Sequence, residues 1–122
     1  MPTRVLIADD HTLFAEALEA ILAVDDRIAV VGRAKDGSQA VALATELQPD
    51  VVLMDISMPV MDGIEATALI SEEVPDAAVL VLTGSDAPAD IDAARRAGAT
   101  GYVTKDRIAA ELVEAIIRAA PR

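Results

Sequence analysis

Polar residues able to share a charge or a phosphoryl group recur in this sequence at the ends of short apolar runs. "RVLIADDH" ends its run in Asp9 and Asp10, "VVLMDISMPVMDG" in Asp55, "VLVLTGS" in Thr83 and "GYVTKD" in Thr104 and Lys105. Singly, each has an ordinary reading: an aspartate after a strand is often a turn former or helix cap, an acidic pair a solvated loop, a lysine a surface residue. Together they are three carboxylates, two threonine hydroxyls and an ammonium. Carboxylates brought together repel and are pushed toward protonation unless positive charge sits among them. Lys105 offers one such charge. Mg²⁺, which prefers oxygen ligands and takes one or two carboxylates, would offer two more. With a carboxylate as nucleophile, the set suits Mg²⁺-assisted phosphoryl transfer.

The runs that must deliver these groups are residues 4–8, 28–31, 51–54, 79–82 and 101–104. Most are continuously apolar, the pattern of parallel strands covered on both faces. Between them, periodicity predicts helices over 12–24, 38–47, 64–74, 90–97 and 107–120. The first places Leu13, Phe14, Ala17, Leu18, Ile21 and Leu22 on one stripe, and the last does so with Ile108, Leu112, Val113, Ile116 and Ile117. Asp36 with Gln39, and Asp62 with Glu65, have the spacing of N-terminal caps. Asp106 is expected to cap the last helix. The fourth helix has Ile91 as its only large apolar residue and is expected to be loosely held. Five βα units joined by right-handed crossovers give an α/β, doubly wound (βα)5 fold with helices on both faces of a parallel sheet. In such sheets ligands bind at the carboxyl ends of the strands, where Asp9, Asp10, Asp55, Thr83 and Lys105 all fall.

The 122 residues suit one domain with a sizeable core. Hydrophobic residues make up 53% but aromatics only 2%, so that core must be Val, Leu, Ile and Ala. The lack of cysteine excludes disulfides and thiolate metal sites. A formal net charge of −11 argues against nucleic-acid binding by this chain itself, because phosphate attraction needs a basic face. "MPTRVLIADD" lacks the pattern of a signal peptide, and no apolar run approaches the ~20 residues of a membrane span. The reading is a soluble, acidic, cytoplasmic domain with no membrane partner.

The runs quoted above, with "GATGYVTKD", resemble the receiver domain of two-component response regulators over essentially the whole chain. "ADDH" followed by "LF", and a terminal "GYxxKD", resemble its NarL/LuxR-type subgroup. The resemblance implies a flavodoxin-like receiver fold with sheet order 2-1-3-4-5, and a single receiver over residues 1–122 without a DNA-binding domain in this chain. Asp55 would be the phosphoacceptor, attacking the phosphorus of a phosphohistidine on a sensor histidine kinase. Mg²⁺ would be held by Asp10, Asp55 and the main-chain carbonyl of Ser57, with Asp9 acting through a water. Lys105 would pair with the phosphoryl oxygens, Thr83 would donate to one of them, and Gly84 would leave steric room. Tyr102 would be the switch aromatic, turning into the space that Thr83 vacates. Ser57 and Ser85 would tune hydrolysis of the phosphoaspartate. His11 is not expected to ligate Mg²⁺, which prefers oxygen. The implied role is a signalling domain rather than an enzyme. It would control transcription through a domain absent here and could form a homodimer on phosphorylation. Two other readings compete. A Mg²⁺-dependent phosphohydrolase with an aspartyl nucleophile usually wants an acid two residues further on, where this chain has Ser57. A phosphorylation-independent interaction scaffold would leave the convergent polar set without a purpose.

Overall fold

Runs of Val, Leu and Ile that can show neither face to water must be covered twice. The computed structural model of the protein, which describes residues 2–56, 58, 61–84 and 88–121, covers them that way. Among the described residues the elements run β1 (Thr3–Ala8), α1 (Thr12–Ala23), β2 (Ile28–Ala34), α2 (Gly37–Leu47), β3 (Val51–Asp55), α3 (Gly63–Glu73), β4 (Ala78–Thr83), α4 (Pro88–Ala97), β5 (Gly101–Thr104), a 3-10 turn (Lys105–Arg107) and α5 (Ile108–Ala119). All strand pairs are parallel, in the order β2-β1-β3-β4-β5. This is the expected doubly wound α/β fold, with β3 at the centre of the sheet.

Strand side chains alternate between the two faces, and two cores follow from that parity. Val5, Ile7, Val51, Leu53, Leu80 and Leu82 pack with Leu18 and Leu22 of α1 and Leu112 and Ile116 of α5. Leu6, Ala8, Val52, Met54, Val79 and Val81 pack with Ala40, Ala44, Ala66, Ile70 and Ala94 of α2, α3 and α4. Asp55 continues the parity of Val51 and Leu53, and Thr83 that of Val79 and Val81. The two polar tips therefore belong to opposite layers of one sheet edge.

Local signals account for most element ends. The Asp36 carboxylate accepts from the Gln39 amide at 2.8 Å, and that of Asp62 from the Glu65 amide at 2.9 Å, as the cap spacing predicts. α4 starts at Pro88, earlier than periodicity places it, because a proline in the first turn forfeits no helical hydrogen bond. Its one buried residue is Ala94, in keeping with a loosely held helix. Three expectations need correction. Leu13 is 83% exposed and Ala17 also faces solvent, whereas Ala15 is buried with Leu18 and Leu22. At 100° per residue Leu13 stands about 140° from Leu18, outside the stripe. β2 runs on to Ala34, since its pairing with β1 continues to Ala8↔Ala34 past a register shift after Val5. Asp106 does not cap α5: it lies inside the 3-10 turn, and Arg107 precedes the helix with no side-chain cap bond. That turn already leads into α5, which leaves Asp106 one residue too early. Among the described residues, no helix is long and apolar enough to cross a membrane.

α3 begins directly against the tip of β3. The Gly63 amide donates to the Ile56 carbonyl at 3.1 Å, and a Cβ on Gly63 would collide with the Asp55 carbonyl oxygen and the Ile56 Cα. At the far end of the sheet, Arg27 donates to the Asp25 carboxylate at 3.0 and 2.9 Å and reaches Glu114 of α5 at 3.0 Å. Two outcomes follow. Gly63→Ala should lower stability by about 1–3 kcal/mol in urea denaturation, the cost of overpacking against backbone. Gly84→Ala should stay within about 0.5 kcal/mol of wild type, since a Cβ there meets no described atom. Side-chain hydrogen bonds from Arg27 lower the Asp25 carboxyl from 3.8 to about 2. Its stabilising contribution is thus complete above 3.8 and is lost as pH falls through about 2. Carboxyl carbon NMR should place its midpoint near 2 in wild type and higher in Arg27→Gln.

Candidate functional site

Parallel pairing aligns the carboxyl ends of the strands, so residues just past β1 and at the tips of β3, β4 and β5 meet at one edge. Asp9 is 2% exposed and Asp55 1%, both unusual for carboxylates. Ala8 lies beside Met54, Asp55 beside Leu82, and Thr83 beside Thr104, which brings the four tips into one row. The Asp9 amide donates to the Ala34 carbonyl at 3.0 Å. The Asp9 Oδ1 accepts from the His11 amide at 2.8 Å, tying the acid pair to the start of α1. Asp9, Asp10, His11 and Asp55 each place one ligand atom within 4.8 Å of the others.

The compensating charge comes from the last βα connection. Lys105 Nζ lies 3.5 Å from Asp55 Oδ1, with the lysine side chain 30% exposed. The same ammonium sits over the Phe14 ring, 4.8 Å from its centroid, a cation–π distance. Phe14 of α1 thus backs Lys105 as it points at Asp55. By sequence Phe14 falls on the core stripe and in the "LF" that follows "ADDH", with no link to Lys105. The available signal was that it is the chain's single Phe, standing four residues after Asp10.

Two buried oxygens of the cluster, Asp9 Oδ2 and Asp10 Oδ1, carry no hydrogen bond among the described residues. Buried polar atoms are rarely left so, and a cation with oxygen ligands would satisfy both. The donor set fits Mg²⁺: hard, anionic, and with nearby ammonium enough to offset only part of its charge.

Thr83 is buried on the opposite layer, and with Ile56, Ile91, Ala94 and Tyr102 it lines a small crevice under α4. Tyr102 is 37% exposed, standing at the mouth of that crevice. The space around the position of a Cβ on Gly84 is open. Ser57 and Ser85 lie outside the described residues. The site therefore brings together Asp9, Asp10, Asp55 and Lys105, with Thr83, Gly84 and Tyr102 along the same edge.

This geometry has known counterparts. The family model for the response regulator receiver domain matches residues 5–117. The chain belongs to that family. Its relatives lie among the LuxR/NarL-type regulators. It is 45% identical over 113 residues to the transcriptional regulatory protein LiaR of Bacillus subtilis, covering 93% of this chain and 54% of LiaR. A LuxR-family two-component response regulator from Aurantimonas superposes with a TM-score of 0.91 at 37% identity, covering 97% of this chain and 84% of that one. A chain of the CheX–CheY–BeF3–Mg²⁺ complex from Borrelia burgdorferi superposes with a TM-score of 0.89 at 26% identity, covering 97% of this chain and 89% of that one. The receiver spans about half the length of the curated relatives it matches. Receivers of this family bind Mg²⁺ at an acidic pocket, accept phosphoryl groups from histidine kinases, and are not classical enzymes.

The contact between Phe14 and Lys105 has a direct signature. The Lys105 Cε protons should resonate upfield of an exposed lysine because they lie near the ring face, and Phe14→Leu should return them to ordinary positions. Ordinary positions in the wild type would mean that the contact does not form in solution.

Proposed function

We propose that this receiver takes a phosphoryl group from a sensor histidine kinase onto Asp55 and uses it to switch conformation. The observation that supports this best is Lys105 Nζ 3.5 Å from a buried Asp55 whose acidic neighbours retain unsatisfied buried oxygens. Asp55 stands on the rigid central strand, one oxygen beside the ammonium, and is the nucleophile. Asp10 and Asp55 would hold Mg²⁺, with Ser57, outside the described residues, adding its main-chain carbonyl and Asp9 acting through a water, as the family resemblance implies. When bound, Mg²⁺ supplies two positive charges that offset the acids and the incoming phosphate. Lys105 pairs with a phosphoryl oxygen. Thr83, whose place is the α4 layer, donates to another, with open space at Gly84. A structurally similar chain has been solved in a complex that contains BeF3 and Mg²⁺, which supports a metal-assisted phosphoryl site in general.

Phosphorylation adds roughly −1.5 to −2 charges. Lys105 and Thr83 compensate that charge best when both approach the phosphorylated Asp55, so the modification favours one of two pre-existing arrangements. Tyr102 then turns into the crevice that Thr83 leaves, and α4, with one buried residue, is the element free to follow. Ser57 and Ser85 tune the lifetime of the phosphoaspartate. The output is transcription, through a DNA-binding domain of the kind its regulator relatives imply. The receiver works in the cytoplasm, binds no nucleic acid itself, and pairs with a second copy when phosphorylated. Residues 1–122 act as one receiver domain.

Incubation with Mg²⁺ and acetyl phosphate should add one phosphoryl group by intact mass, and Asp55→Asn should add none. Equal labelling of Asp55→Asn would overturn the assignment. Lys105→Ala should still accept phosphate while failing to shift the α4 and β5 amide resonances. A full shift in that variant would remove the lysine from the switch. Steady turnover of a phosphomonoester, rather than one label per chain, would favour the phosphohydrolase reading.

A further inference from the structure

We propose that Thr104 is a positioning residue of the switch, its hydroxyl donating to Thr83 Oγ1 once Thr83 has given its own proton to the phosphoryl group. Thr104 is 9% exposed, and its Oγ1 is buried with no hydrogen-bond partner among the described residues. Buried hydroxyls are rarely left so, and an unmade bond costs the state that holds it. Strand parity puts Thr104 on the layer opposite Asp55, so a cation among the acids does not answer for this oxygen.

Its surroundings single out a partner. Thr104 stands beside Thr83 in the β4–β5 register, and neighbouring strands lie about 4.8 Å apart. Paired residues of parallel strands share a face, and alternation puts Thr104 on the same face as Tyr102. There Thr83 and Tyr102 line the crevice under α4, which has no room for a water molecule. Asp90 and Tyr102, the other polar residues of that lining, are exposed, whereas Thr83 is buried.

A threonine hydroxyl has one proton to give and two lone pairs that accept. With the Thr83 proton committed to a phosphoryl oxygen, those lone pairs are open to the Thr104 proton, which a turn about the Thr104 Cα–Cβ bond delivers. The chain from Thr104 through Thr83 to the phosphoryl oxygen then polarises along its length. The hydroxyl thus penalises the unphosphorylated arrangement and supports the switched one. The ordinary alternative is a β-branched residue that suits a strand. Valine would serve that purpose equally and leave no polar atom unsatisfied, so the two readings separate on that substitution. The relay rests on the phosphoacceptor reading; the burial of the hydroxyl does not.

Without phosphate, Thr104→Val should unfold at a urea midpoint at or above that of wild type. A lower midpoint would mean that the hydroxyl is already bonded at rest, and would overturn the proposal. With Mg²⁺ present, beryllofluoride, which stands in for the phosphoryl group, is titrated while the α4 and β5 amide resonances are followed. Its half-saturating concentration should rise about tenfold in Thr104→Val and stay near wild type in Thr104→Ser, which keeps the hydroxyl. In a Thr83→Ala background, Thr104→Val should add no further loss, because its route to the phosphoryl group is gone. Equal titrations of wild type and Thr104→Val sink this inference and leave the phosphoacceptor reading standing. Equal losses in the Val and Ser variants, or a full further loss on top of Thr83→Ala, sink it too. A wild type that takes neither beryllofluoride nor a phosphoryl group from acetyl phosphate fails on the phosphoacceptor reading itself, and the relay falls with it.

Discussion

The crowding of acids at one end of the sheet is the constraint around which the rest of this structure is arranged. Asp9, Asp10 and Asp55 bring an oxygen each within 4.8 Å of the others, two of the three residues being buried. Two full charges about 4 Å apart interact by about 4 kcal/mol at an effective dielectric near 20. A domain's whole stability is about 5–15 kcal/mol. Such a cluster persists only if cationic charge is held against it. Lys105 provides the part that belongs to the chain, and it comes from a strand added two places away from β3.

Holding that ammonium in place requires elements far apart in sequence. Phe14 lies on α1, Lys105 follows β5, and Asp55 ends β3, yet the ammonium is 3.5 Å from the carboxylate and 4.8 Å from the ring centroid. The layer that contains Phe14 is the α1–α5 core, the face to which the parity of β3 also assigns Asp55. Thr83 falls on the other layer, under the sparsely anchored α4. Asp55 is thus fixed by the better-packed core and Thr83 by the looser one. A group on a rigid strand beside one on a yielding layer is what a switch needs.

Close backbone packing is the other support. Gly63 lets α3 press against the carbonyl of Asp55, and the Asp62 cap starts that helix within one residue of the contact. The Asp55 main chain is held within the sheet by β4 pairing and from the side by α3.

The alternation of apolar runs with helical periodicity was enough to determine five βα units, a parallel sheet, and which polar residues stand at the ends of β1, β3, β4 and β5, though not the end of β2. That information is local: hydrophobic period and cap spacing are written over a few residues, and right-handed crossover leaves few topologies. The acid and lysine positions were legible for the same reason, since strand ends in a parallel sheet share one edge. Leu13, Ala17 and Asp106 were misread because a stripe's width and a helix's first residue depend on what packs against them. Only tertiary structure could bring Phe14 under Lys105 or seat α3 on the Asp55 carbonyl, and only a rotamer choice sets His11 Nδ1 3.2 Å from Asp10 Oδ1. Each of these is a distance between residues remote in sequence or a rotamer choice, and both are set by packing of layers that no local pattern encodes.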